Sequence, residues 1–182
     1  MIDQSIHPNT RVLLDAWRRM QADPKGHGAS GPRVAGNEEL IERIFVLELM
    51  QDRTWLVRSA GSRLDALIGR RLVNHNFLDL WSGPDRTMTG AFLEAVRLDG
   101  GPGVVRGVGE TLNGQRAEIE ITLMPLDAGA AQAPRTRMLG LYQPLGSEAA
   151  LAGQPLFRHR VSMIVPPDTR RAGPKLRLVA SR

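Results

Sequence analysis

Four histidines, His7, His27, His75 and His159, are the first groups in this 182-residue chain to test for chemistry, since histidine both ligates metals and moves protons near neutral pH. They are too scattered to form a spaced metal motif, and no cysteine is present to complete one. The missing cysteine also removes disulfides, thiolate nucleophiles and iron–sulfur clusters. No metal is expected. Gly28-Ala29-Ser30-Gly31 offers a serine, but its spacing departs from the strand-to-helix nucleophile turn and it sits among glycines and prolines. Gly101-Pro102-Gly103 and Gly107-Val108-Gly109 precede or lie within expected strands. Their amides would not converge on a phosphate as they do at a helix N-terminus, so they read as strand bends. Glu118 and Glu120 stand two apart on one strand, a spacing compatible with acid–base work; a solvated sheet face accounts for them more simply. No catalytic residue is assigned, and the chain is expected not to be an enzyme.

Charge is distributed unevenly. The formal net charge is +5, yet seven basic residues from Arg158 onward face the single acid Asp168, while residues 1–157 hold 17 basic and 18 acidic side chains. Basicity belongs to the C-terminal segment, where Arg158, Arg160, Arg170, Arg171, Lys175 and Arg177 lie among prolines. The rest offers no single-sign field to steer a whole domain onto phosphates. Attraction of that segment to nucleic acid, an acidic membrane or an acidic protein is physically available, against the plainer reading of a solvated terminus. Phe157 is its lone aromatic, which gives no platform for base stacking. No apolar run is long enough to span a membrane and no secretory leader opens the chain, so a cytoplasmic location is expected.

Periodicity supplies the elements. Val12, Leu13, Ala16, Trp17 and Met20 form one stripe of an amphipathic helix over residues 11–22, with Asp15, Arg18 and Arg19 opposite. Folding back on its own sheet and packing against a second copy are the two ways to bury that stripe. Residues 23–32 collect glycine and proline into a linker, and Asn37 can cap a short helix beginning at Glu38. Ile44–Met50 and Thr54–Ala60 predict a hairpin. Short broken helices follow from Asp65 to Trp81, then a longer helix from Asp85 with Met88, Phe92, Leu93 and Val96 on its apolar side. Val104–Leu112 and Ala117–Leu126 flank Asn113-Gly114, a strong hairpin signal, and Arg137–Leu145 forms the last expected strand.

The order of two strands, a helical crossover and three strands resembles the PAS fold: α+β, with a five-stranded antiparallel sheet cupping short helices on one face, here preceded by an amphipathic helix. Arg58-Ser59-Ala60-Gly61-Ser62-Arg63-Leu64, Leu67-Ile68-Gly69-Arg70-Arg71-Leu72 and Phe77-Leu78-Asp79-Leu80-Trp81 are similar to a subgroup of short, stand-alone PAS-like proteins of alphaproteobacteria. Met124-Pro125-Leu126 and Leu139-Gly140-Leu141 fit its strand ends. The expected division is therefore residues 1–34 as helix and linker, 35–147 as the PAS-like domain, and 148–182 as a basic, partly disordered tail.

The resemblance implies a sensory or regulatory module that binds a small ligand between sheet and helices, or pairs with itself and with partner proteins. Cysteinyl-flavin chemistry is excluded for want of cysteine, and haem is disfavoured because Asp85–Leu98 carries no histidine; the ligand, if one binds, is unknown. Candidate ligand contacts are Arg58, whose guanidinium would need an anion if it faced the cup, together with His75 and Trp81. A salt bridge from Arg58 to Asp65 or Asp79, a surface His75 and a core Trp81 are the structural alternatives. Leu13, Trp17 and Met20 are the candidate contacts of a homodimer or partner helix. The expected function is a non-enzymatic cytoplasmic signalling protein acting through protein contacts with an unidentified partner, with nucleic-acid association through the tail as the alternative.

Overall fold

The computed structural model describes residues 6–22, 38–126 and 136–167. The linker, Asn37, the residue 127–134 loop, and Arg170, Arg171, Lys175 and Arg177 lie outside them. Helix α1 (Pro8–Ala22) and a single turn, α2 (Glu38–Ile41), lead into the hairpin of β1 (Ile44–Leu49) and β2 (Trp55–Ala60). Then come α3 (Ser62–Ile68), a 3-10 turn at Phe77–Leu80, and α4 (Gly83–Asp99). Strands β3 (Gly103–Thr111), β4 (Arg116–Pro125) and β5 (Arg137–Pro144), a 3-10 turn at Glu148–Leu151 and β6 (Leu156–Val165) complete the chain.

Every strand pair is antiparallel, in the order β2-β1-β5-β4-β3-β6. The sheet thus has six strands rather than the expected five. The additional one comes from residues expected to form a tail, whose short apolar run Val161–Val165 becomes the end of a strand along the edge of β3. Unpaired backbone groups on an edge strand seek partners, and β6 supplies them for β3.

Chain punctuation follows local chemistry. Gly69 ends α3 and Gly100 ends α4 in the left-handed conformation that glycine adopts without steric cost. In the β3–β4 hairpin Gly114 has positive φ while Asn113 does not. The Thr111 amide donates to the Gln115 carbonyl, so the loop has three residues rather than the two-residue turn expected.

Strand alternation divides the burial. Ile119, Ile121 and Leu123 of β4 and Met138 and Tyr142 of β5 face inward under α3, α4 and the Phe77–Leu80 turn. Met124, Leu139 and Leu141 face outward and are covered by Leu13 and Leu14 of α1, with Leu40. The second face of β4 is therefore dry from Glu120 onward: Glu120 and Thr122 are fully buried while Arg116 and Glu118 remain exposed, so the solvated face expected for the glutamates holds for Glu118 and is corrected for Glu120. The α4 stripe shifts likewise, with Thr89 buried and Met88 exposed.

Both ends of the sheet are tied to one segment. Asn74 donates to the Val57 carbonyl at 2.8 Å and Val57 to the His75 carbonyl at 3.0 Å along β2, while Trp81 bridges His159 on β6. The strand margins that an open sheet would expose are thus partly satisfied by the connection between α3 and α4, which closes the cup.

Gly107 marks where β6 approaches most closely, because a Cβ there would fall within the van der Waals shell of the Arg160 carbonyl. Gly107→Ala should lower stability by about 2 kcal/mol, the usual scale of overpacking, whereas Gly146→Ala, with open space around it, should be near neutral. Thermal melts of both variants check this; equal melting temperatures would show that β6 is not seated as described.

Candidate functional site

The concave side of the sheet is where a cup would accept a ligand, and side chains fill it. Phe45 of β1 stacks on Phe77 with centroids 5.0 Å apart, Phe77 meets Trp81 edge-on at 5.1 Å, and Trp81 lies 5.6 Å from the His159 ring. Tyr142 closes the series, its hydroxyl 2.7 Å from His159 Nε2. Strands β1 and β5, the edge strand β6 and the helical connection contribute, so the column spans much of the interior. The gap among Trp81, Val105, Ile119, Ile121 and Val161 is too small for a water molecule.

Burial governs the polar pair within this column. His159 is 1% exposed, and desolvation lowers its pKa from 6.5 to about 4 against the opposing pull of the Leu80 carbonyl. Its Nδ1 has no hydrogen-bond partner of good geometry among the described residues. Desolvation raises the Tyr142 phenol well above its ordinary value, so both groups are neutral near pH 7.

The sequence-based candidates are not brought together. Trp81 is a core residue of the column. His75 is exposed, with its backbone on the β2 edge and its side chain outside the cup. Trp55 and Val57 take the inward positions of β2, which sends Arg58 to the opposite face. There its Nε donates to Glu48 at 3.1 Å and its Nη2 at 3.4 Å; neither Asp65 nor Asp79 is its partner. Asp65 accepts from the Leu72 amide and Asp79 from Arg86. Leu13 is completely buried against the chain's own sheet, Trp17 donates to the Pro125 carbonyl at 2.9 Å, and Met20 is half-buried. Arg158 and Arg160 are exposed on β6.

A group that sequence reasoning missed lies beneath α1. The Glu120 carboxylate, 0% exposed, accepts from Arg106 Nε at 2.9 Å and Nη2 at 2.7 Å, from the Thr10 hydroxyl at 2.7 Å and from the His7 amide at 3.0 Å. Thr122 donates to Thr10 at 3.3 Å, and Asn9 donates to Gln143 at 3.1 Å. These bonds fix the first turn of α1 on the sheet, while Leu13, Leu14 and Trp17 supply apolar contact. Full burial of one such side chain contributes about 1.5–3 kcal/mol. The available signal was the amphipathic helix itself, which needed a face to cover, and β4 was the strand whose two sides could both be dry.

Two consequences are measurable. Unfolded His159 titrates near 6.5 and folded His159 near 4, so between those values the unfolded chain holds the extra proton. Stability is full above pH 6.5 and declines as pH falls towards 4, by about 3 kcal/mol in all. Urea midpoints across that range should record the loss, and His159→Gln, which leaves Tyr142 a partner, should flatten it; a variant with the same slope would reassign the effect. Separately, Glu120→Ala removes the acceptor shared by Arg106, Thr10 and the His7 amide and should cost about 3 kcal/mol, the lower end for breaking a buried pair because Arg106 is partly solvated. Hydrogen exchange should then accelerate first in α1, and unchanged protection there would show that the clamp does not hold the helix.

Among solved structures, a light-oxygen-voltage domain studied with a flavin analogue is 14% identical at a TM-score of 0.46, over 64% of this chain and 86% of that one. The light-state structure of the blue-light photoreceptor Aureochrome1 LOV is 13% identical at 0.45, over 66% and 94%. A fungal LOV domain photoreceptor is 17% identical at 0.44, over 73% and 91%. No curated protein matches the chain. A family model described as a PAS domain matches residues 6–143, from the approach to α1 to the penultimate residue of β5, leaving β6 beyond it. With the greater part of its length in that match, the chain belongs to the PAS domain family.

Proposed function

We propose that this PAS protein is a non-enzymatic regulator that passes its signal through contacts with other protein chains, with α1 as the element that changes partners. One observation carries the reading: α1 is held on the outer face of the sheet by contacts that a second copy of the chain could supply identically. Leu13 and Trp17 bury against Met124, Leu139 and Leu141, and Glu120 meets Thr10 and the His7 amide. The sequence between α1 and α2 is rich in glycine and proline, a composition suited to reaching either sheet. Exchange of an identical element is a low-cost route to a homodimer. This reconciles a buried Leu13 with a dimer built on Leu13, Trp17 and Met20.

The interior supports an output by contact rather than by cofactor. Flavin, named for one of the light-oxygen-voltage structures, finds no room here because Phe45, Phe77, Trp81, Tyr142 and His159 occupy the space between sheet and helices, and without cysteine the chain can form no cysteinyl-flavin adduct. Among the described residues no cluster of three or more histidines and carboxylates is arranged to hold a metal, and no helix is long and apolar enough to cross a membrane. A bacterial setting and the alphaproteobacterial subgroup belong to this proposal and rest on the Arg58–Leu64, Leu67–Leu72 and Phe77–Trp81 motifs. Of the basic residues that would carry nucleic-acid association, Arg158 and Arg160 are described, both exposed.

The absence of native cysteine makes the test clean. Thr10 and Thr122 have hydroxyls 3.3 Å apart, so Thr10→Cys with Thr122→Cys places two thiols within bridging range. Oxidation should trap both an internally bridged monomer and a disulfide-linked dimer, the dimer fraction growing with protein concentration. Exclusively internal bridges at every concentration, read on a non-reducing gel and by native mass spectrometry, would rule out exchange of α1.

A further inference from the structure

On the outer face, away from the filled cup, a polar cleft of about 490 Å³ opens where the first turn of α1 meets α2, the start of β1 and the Glu148–Leu151 turn. Its volume falls within the range of small-molecule sites. Its walls are charged rather than apolar. Arg43 enters from the foot of β1 with its side chain 4% exposed; Nη2 donates to Glu39 at 3.2 Å, Nη1 contacts Glu148, and Nε is buried with no acceptor among the described residues. Across from it Arg63 holds long ion pairs, 3.9 Å to Glu39 and 3.6 Å to Glu148. His7 and Gln143 add neutral polar groups, the His7 ring being pushed towards its neutral form mainly by desolvation.

The charge pattern selects a ligand class. Two guanidiniums and two carboxylates sum to zero and are interleaved, so a simple anion meets Glu39 and Glu148 as it approaches the arginines, and a simple cation meets the arginines in turn. A small molecule carrying both charges a few bonds apart satisfies the two sets together. Its carboxylate can bridge the loosely paired Arg63 and the incompletely satisfied Arg43, and its ammonium can sit between the glutamates. Charge-assisted bonds of this kind are the strong ones.

We propose that this cleft binds a small zwitterion of the α-amino-acid class, and that the occupant stabilises the docked position of α1. The second half follows from position: His7, Pro8 and Asn9 line the cleft immediately beside the Glu120 clamp, so a ligand that binds only while they are in place adds its binding free energy to that arrangement. The proposal deepens the regulatory reading and rests on it for the output step alone; binding is measured without exchange of α1, so either can fail separately.

The test uses the full chain and isothermal titration with the common amino acids in turn, beside acetate and methylammonium as the two half-ligands. At least one amino acid should saturate a single site and bind at least about tenfold more tightly than either half-ligand. Arg63→Gln and Glu39→Gln alter side chains that are 44% and 54% exposed, which keeps the fold intact, and each should weaken binding at least about tenfold. Hydrogen exchange in the first turn of α1 should slow with ligand and not with the half-ligands. The proposal is overturned if no amino acid saturates, if acetate or methylammonium binds as well as the best of them, or if both substitutions leave affinity unchanged. The half-ligand comparison needs no variant and decides the matter even if a substitution perturbs folding.

Discussion

A curved sheet leaves a concave face that something must fill, and in this chain an unbroken series of rings fills it. Phe45, Phe77, Trp81, His159 and Tyr142 stack or meet edge-on from β1 to β6, so the space between sheet and helices is occupied by the protein itself. Close packing at this density transmits strain and leaves little free volume. His159 must stay neutral to remain there, and its Nε2 is paired with the Tyr142 hydroxyl. Solvent and partners consequently meet the outer face of the sheet, its edges and the outer sides of α3 and α4 rather than the interior.

On that outer face the chain places a buried charge where an apolar contact would also have served. Burying Glu120 is costly, and Arg106, Thr10 and the His7 amide offset the cost only when α1 is seated in one register. Leu13 and Leu14 could slide along an apolar surface with little penalty; the carboxylate cannot. The polar clamp thus gives α1 a defined position, and the apolar contacts give it adhesion. Arg58 and Glu48, with Arg137 at 3.6 Å, repeat the pattern near the β2 edge, where partial solvation weakens the pair.

The family match ends within β5, yet the sheet continues. Strand β6 covers the edge of β3, contributes His159 to the interior, and carries Arg158 and Arg160 on its exposed side. The turn before it delivers Glu148 to the ion cluster around Arg43. Residues outside the matched region therefore complete both the filled interior and the outer cleft.

Local signals were sufficient for much of the architecture. The i, i+3, i+4 spacing around Leu13 and Trp17, the glycines at positions 69 and 100, and the alternation along Ala117–Leu123 determined the elements and their order, because each reflects a choice made within a few residues. What they could not carry was the partner of each face. Glu120 reads as a solvated residue until α1 is laid over it, Arg58 reads as an inward cation or a salt-bridged one until Trp55 and Val57 claim the inner positions, and Val161–Val165 reads as part of a tail until β3 offers it an edge. Sequence determined the periodicities; only tertiary contact decided which surfaces were dry, since desolvation depends on residues more than a hundred positions away.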